Sequence, residues 1–249
     1  MGLNAQRAVE LGAGAIDINF GCPAPQVNRN DGGASLLRYP ERLRGIVAAV
    51  RKAVPPHIPV SAKLRLGWET PDAIFRNAEE AALGGASWIT IHARTKKQGY
   101  APPAYWNYIG EVKKQLKLPV VANGDIWTFE DFLRCRDETQ CQHFMIGRSA
   151  LANPGLALAI SRELGIKRDL SRSSFTENPL AAWIPLLQRF AEVSEPYSQG
   201  NQYIAARIKQ WLKMAYLRKQ FPWFEQIKLC KTVDEIFEVL TDALTREQK

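Results

Sequence analysis

Up to about Gly147 the chain alternates between short apolar runs and longer stretches with apolar residues three and four apart. The short runs are Ile16 to Phe20, Pro59 to Leu66 (PVSAKLRL), Ser87 to Ala93 (SWITIHA), Pro119 to Asn123 (PVVAN) and His143 to Ile146 (HFMI), and they predict strands. The first has the length and β-branched content of a buried parallel strand. Helical spacing predicts helices over Asn4 to Gly12, Pro40 to Val54, Pro71 to Leu83, Tyr105 to Leu116 and Thr128 to Arg136, with a short one from Ser149. Strands separated by single helices at intervals of roughly thirty residues predict right-handed βαβ crossovers and a parallel sheet.

A closed (β/α)8 barrel needs eight strands in about 250 residues, whereas the strand pattern here is exhausted by about Gly147. An open five-stranded sheet is one reading. The preferred one is a TIM barrel of which only the last five β/α units are present, because the chain starts mid-unit and its strand ends carry the residues of a barrel mouth. Past Asn178 only helical periodicity remains, near Leu180 to Val193, Asn201 to Gln220, Pro222 to Cys230 and Val233 to Leu244. The expectation is an α/β domain over 1–170 and an all-α helical-bundle domain over 177–249, with the serine-rich segment Ser171 to Asn178 as boundary.

The chain has 249 residues with 46% hydrophobic content, enough for a sizeable core. Its 33 Lys plus Arg against 25 Asp plus Glu give a net charge of +8, which fits a polyanionic partner and fits plain solubility equally well. Cys22, Cys135, Cys141 and Cys230 have neither CxxC spacing nor the density of a disulfide scaffold, so reduced thiols in a cytoplasmic protein and no metal site are expected. No stretch approaches the roughly 20 apolar residues of a membrane span.

Candidate chemistry gathers where each strand stops. The first run ends at Gly21 and Cys22, followed by a long polar loop with Asn28, Asn30 and Asp31 that leads through Gly32-Gly33 into an apolar segment. The second carries Lys63 and Arg65, the third His92 and Arg94, the fourth Asn123-Gly124-Asp125, and the fifth Gly147-Arg148. Taken singly, each has an ordinary structural explanation: a small buried thiol, a snorkelling lysine, a satisfied core histidine, a turn. Such residues at five successive strand ends point instead to a shared site. Gly124, Gly147 and Arg148 suit a phosphate, through close backbone N–H approach and a two-point arginine grip. Lys63 and His92 suit the electron-rich ring of a flavin. In the helical part, Ile204, Ile208, Trp211, Leu212 and Ala215 form an apolar stripe, and Arg207 to Lys219 holds five basic residues and no acidic one, which suits phosphate contacts or a solvated face.

Together NFGCP at Asn19 to Pro23, GGASLL at Gly32 to Leu37, KLRLGW at Lys63 to Trp68, IHARTKKQGY at Ile91 to Tyr100, NGDIW at Asn123 to Trp127 and MIGRSAL at Met145 to Leu151 resemble the tRNA-dihydrouridine synthases. ARIKQWL, Ala206 to Leu212, resembles the bacterial C subfamily, which modifies position 16 of tRNA. The resemblance implies an FMN enzyme that takes hydride from NADPH and reduces a flipped-out uridine of the tRNA D-loop to 5,6-dihydrouridine. By that resemblance Cys22 is the catalytic general acid. Lys63, His92, Asn123, Gly124, Asp125, Gly147 and Arg148 bind the cofactor, and Asn19, Arg94, Tyr100, Arg207, Lys209 and Lys213 bind the substrate. The expected partner is tRNA, and the protein is expected to be a monomer in the cytoplasm. The family pattern has three further amino-terminal β/α units, including an APM-type strand and a glutamine-bearing strand at the flavin, so a chain shortened at its amino end is expected. Two alternatives stay open: an FMN-dependent dehydrogenase of a small pyrimidine such as dihydroorotate, and a non-catalytic RNA-binding fragment.

Overall fold

A computed structural model describes residues 1–166 and 179–247 of the chain. By packing it falls into two units, Met1–Ile146 and a second that begins at Gly147. Ser171 to Asn178, expected as the boundary, lies outside the described residues.

The first unit is α/β. Strands β1 (Ile16–Asn19), β2 (Val60–Arg65), β3 (Trp88–His92), β4 (Val120–Asn123) and β5 (His143–Met145) form one parallel sheet in sequence order. The helices are α1 (Gly2–Glu10), α2 (Pro25–Arg29), α3 (Pro40–Ala53), α4 (Ala73–Leu83), α5 (Trp106–Gln115) and α6 (Phe129–Thr139). Their ends have local causes. Gly12, at φ +96, donates its N–H to Val9 O and stops α1. A proline opens α3, with Glu41 in its first turn and Arg51 and Lys52 in its last, each matched to the helix dipole. At α6 a capping box joins Thr128 and Asp131.

Alternation along the strands gives the sheet two unlike faces. Val60, Ala62 and Leu64 of β2 and Ile89 and Ile91 of β3 are fully buried, and α3 and α4 pack against these strands. Truncating Leu64 to Ala there would cost about 2–5 kcal/mol. The intervening positions, Asp17 and Asn19 on β1, Ser61, Lys63 and Arg65 on β2, Thr90 and His92 on β3 and Asn123 on β4, form a polar face. The first strand is therefore not buried throughout as its composition predicts, because Asp17 and Asn19 are exposed. The segment after Cys22 also has more structure than a polar loop: α2 starts with a proline, and a 310 helix, Gly33–Arg38, buries Gly33 to Leu37.

In the second unit the helices are α7 (Arg148–Ala152), α8 (Leu156–Glu163), α9 (Pro179–Ser194), α10 (Asn201–Leu217), α11 (Phe224–Ile227) and α12 (Val233–Glu247). Leu187 of α9, Ile204, Ile208 and Leu212 of α10, Ile236 of α12, and Phe221 between α10 and α11 share one apolar core. Trp211 of the predicted stripe packs edge-on against Trp183 and Phe190 and donates to Leu151 O at 2.7 Å. Among the described residues no helix is long and apolar enough to cross a membrane.

Candidate active site at the strand ends

Cys22 lies just past β1, and the chain around it is fixed by backbone bonds. Asn19 Oδ1 accepts from Gly21 N–H at 2.9 Å. The Cys22 carbonyl accepts from Asn28 Nδ2 at 2.9 Å and from Ala34 N–H at 3.0 Å. Gly33 adopts φ +58, and a Cβ on it would stand 2.8 Å from Cys22 O and 2.9 Å from Cys22 Cβ. Only glycine lets the loop close so tightly on the cysteine. The thiol itself is free and half-buried.

Arg65 ties this loop to the next. Only 3% exposed, it donates from Nε to Gly21 O at 2.9 Å and from Nη1 to Thr95 O at 2.9 Å and Gly99 O at 2.7 Å. Its guanidinium lies 5.2 Å from the Tyr100 ring centre. Burial is the main effect lowering its pKa, opposed by Tyr100 and Cys22, and a guanidinium in this setting stays charged. The sequence reading places Arg65 among the strand-end residues but assigns it no ligand contact. Its position two residues after Lys63, hence on the same face, was the available signal.

Lys63, His92 and Asn123 form the centre of the polar face. Lys63 Nζ reaches Asn123 Oδ1 at 3.5 Å, and Asn123 Nδ2 donates to Met145 O at 2.7 Å. Burial, then the charge of Arg65, lowers the Lys63 pKa, with Asp17 opposing. His92 is 8% exposed, and burial followed by Arg65, Lys63 and Arg94 takes its pKa down to about 3, so the imidazole is neutral near pH 7. Its Nδ1 is buried with no hydrogen-bond partner among the described residues. Beside it Gly124 has φ +119, and a Cβ there would come within 3.3 Å of Ala93 N and 3.6 Å of His92 Cδ2.

Arg94 and Asp125, both predicted as ligand contacts, pair with each other. Arg94 is fully buried, donates from Nε to Ala101 O at 2.6 Å, and meets both Asp125 carboxylate oxygens with its two terminal nitrogens. Asp125, at φ +51, also accepts from Trp127 Nε1 at 3.1 Å. The pair braces the loop that carries the exposed Tyr100, whose ring stands edge-on 6.1 Å from His92.

The remaining predicted residues lie in the second unit. Gly147 and Arg148 begin α7. On α10, Arg207 bonds Gln210 Oε1 at 2.5 Å and Lys213 is exposed. Lys209 Nζ is bonded to Cys230 O at 2.5 Å, closing the turn after α11.

Among the described residues no cluster of His, Cys, Asp or Glu has metal-binding geometry. Instead the face offers a half-buried amine, a neutral imidazole with one unused nitrogen, a carboxamide and a thiol at one end of a parallel sheet, the end at which such folds bind ligands.

A family model described as dihydrouridine synthase (Dus) matches residues 1–249. A tRNA-dihydrouridine(16) synthase of Shewanella oneidensis is 42% identical over 247 residues, which cover 98% of this chain and 74% of that protein. For one of Pseudomonas putida the identity is 43% over 221 residues, 88% of this chain and 65% of the relative. For one of Neisseria meningitidis serogroup B it is 39% over 247 residues, 97% and 72%. The chain thus spans between 65% and 74% of the length of these relatives. With the family match running over the whole sequence, the chain belongs to the dihydrouridine synthase family.

Proposed function

We propose that this protein reduces a uridine in the D-loop of tRNA, at position 16, to 5,6-dihydrouridine, with FMN as cofactor and NADPH as electron donor, in the cytoplasm. The observation that carries this reading is the tightly held Cys22 at the strand end beside a polar face centred on Lys63, His92 and Asn123. The names of the relatives, tRNA-dihydrouridine(16) synthases, support the substrate and the position. The reading also takes the five-stranded sheet as part of a (β/α)8 barrel and the helices beyond Gly147 as a tRNA-binding domain.

The polar face fits a flavin. His92 keeps a buried Nδ1 without a partner, Gly124 holds the β4 end close against that ring, and Lys63 is a desolvated donor with one long bond to Asn123. Lys63, His92 and Asn123 would hold the ring, with Gly124 toward the phosphate. When bound there, FMN supplies hydride transfer from NADPH to uracil C6. The chain's own residues supply the rest. Asn19 and Tyr100 orient the uracil, and the Cys22 Sγ–H bond breaks as its proton passes to C5. Arg65 offsets the thiolate charge that remains, and solvent returns the proton. Asp125 and Arg94 act through each other to hold the Tyr100 loop.

Unmodified tRNA, NADPH and the purified chain, with its visible spectrum recorded first, test the reading. FMN bands and dihydrouridine at position 16 are expected. In Cys22→Ala, product formation falls by roughly 100- to 10,000-fold while NADPH still reduces the bound flavin. Full product formation by Cys22→Ala would overturn the assignment of the acid.

A further inference from the structure

Within the first unit lies an open groove of about 550 Å³, with Trp68, Arg38, Pro40, Thr70 and Ala73 among its lining. At its edge two cations sit on one indole: the Arg38 guanidinium is 4.5 Å from the Trp68 ring centre and the Lys96 ammonium 4.2 Å. Arg38 is also 5.5 Å from the Tyr39 ring. Its Nε donates to Ser35 O at 3.3 Å, and neither Arg38 nor Lys96 has an ion pair among the described residues. The neighbouring cation differs: Arg76 is neutralised by Glu41, Glu79 and Glu80. Glu69 adds a carboxylate to the groove wall.

Two like charges on one half-buried ring repel each other, and neither has an ion-pair partner among the described residues; a bound anion would relieve the repulsion. A planar ring beside paired cations is the combination that recognises a nucleotide, phosphate by the cations and base by the indole. The cluster stands at the same strand ends as Cys22. Lys96 N–H donates to Gly67 O at 2.8 Å and Lys97 N–H to Trp68 O at 2.9 Å, which joins the loops after β2 and β3. Arg38 ends the 310 helix whose first residue, Gly33, presses on Cys22. At about 2.0 Å per residue that helix sets Arg38 on the order of 10 Å from the cysteine, the reach of a neighbouring nucleotide.

We propose that the Arg38–Trp68–Lys96 cluster is an RNA contact separate from the uridine pocket, taking a phosphodiester and an adjoining base of the strand that flanks the reduced nucleotide. This rests on the reading of the protein as a tRNA enzyme. The test is equilibrium binding of unmodified tRNA to the full chain across a salt series. In Arg38→Gln/Lys96→Gln the affinity falls roughly tenfold and the log–log salt slope becomes shallower by about 1 per charge removed. Trp68→Phe, which keeps a smaller ring, weakens binding several-fold with the slope unchanged. A control pair of equal charge, Lys52→Gln/Lys117→Gln at the opposite strand ends, leaves both unchanged. Unaltered binding in the cluster variants, or an equal loss in the control pair, overturns this inference and leaves the reductase reading standing. Failure of the unsubstituted chain to bind tRNA at all overturns both.

Discussion

Lys63 on β2 and Asn123 on β4 meet across the intervening strand, Nζ to Oδ1 3.5 Å, so the sheet curves enough for non-adjacent strands to share a contact on its polar face. A half-buried, desolvated ammonium with one long bond is poorly compensated in the free protein. Lys63→Met should therefore leave thermal unfolding unchanged or raise it, while FMN retention after gel filtration drops at least tenfold. A lower melting temperature with full flavin content would show that the amine serves the fold.

His92 makes stability depend on pH in a defined direction. Its pKa is about 3 in the folded chain against 6.5 as a free side chain, so between these values the unfolded chain binds more protons. Stability from this residue is full above about pH 6.5 and lost as pH falls toward 3, by up to roughly 3–5 kcal/mol. Urea unfolding of His92→Gln at pH 7 and pH 4.5 should show a smaller loss than the parent between the two, and equal losses would refute the burial argument.

Gly33 is the residue most sensitive to a single added carbon. Gly33→Ala sets a Cβ into the Cys22 carbonyl and Cβ and holds alanine at φ +58. Displacing the thiol by about 1 Å is worth on the order of 100-fold in rate. Gly14→Ala, with nothing within 4 Å of the new Cβ, is the matched control and should retain activity.

For the Arg94–Asp125 pair, removing one partner leaves the other charge uncompensated. Asp125→Ala should destabilise by about 3–5 kcal/mol, because Arg94 is fully buried. The double variant Arg94→Met/Asp125→Ala should recover part of that loss in urea titrations. If Asp125→Ala unfolds like the parent but no longer retains FMN, the carboxylate belongs to the ligand site instead.

The strands were legible because period-2 patterning and proline punctuation are local signals: the run Pro59 to Leu66 contains β2, and Ser87 to Ala93 contains β3. Pro25 at the start of α2 was a local signal too, but it was lost among polar neighbours. What stayed hidden depends on distant partners. Arg94 stands beside His92, and nothing local shows that Asp125, 31 residues later, accepts from it. Lys209 lies in a basic run, and the carbonyl that accepts from it is 21 residues away at Cys230. Charged side chains carry no sequence mark that separates those spent internally from those left for a ligand.

The two-faced sheet has a consequence for how this protein can change. The apolar side chains of β2 and β3 hold the helices, while the polar ones alternate with them and never share their surface. Substitutions that reshape the reactive surface therefore leave the helix packing untouched, and repacking under the helices leaves the reactive groups where they are. Durability and selectivity are written in alternate letters of the same strands, free to drift apart under selection.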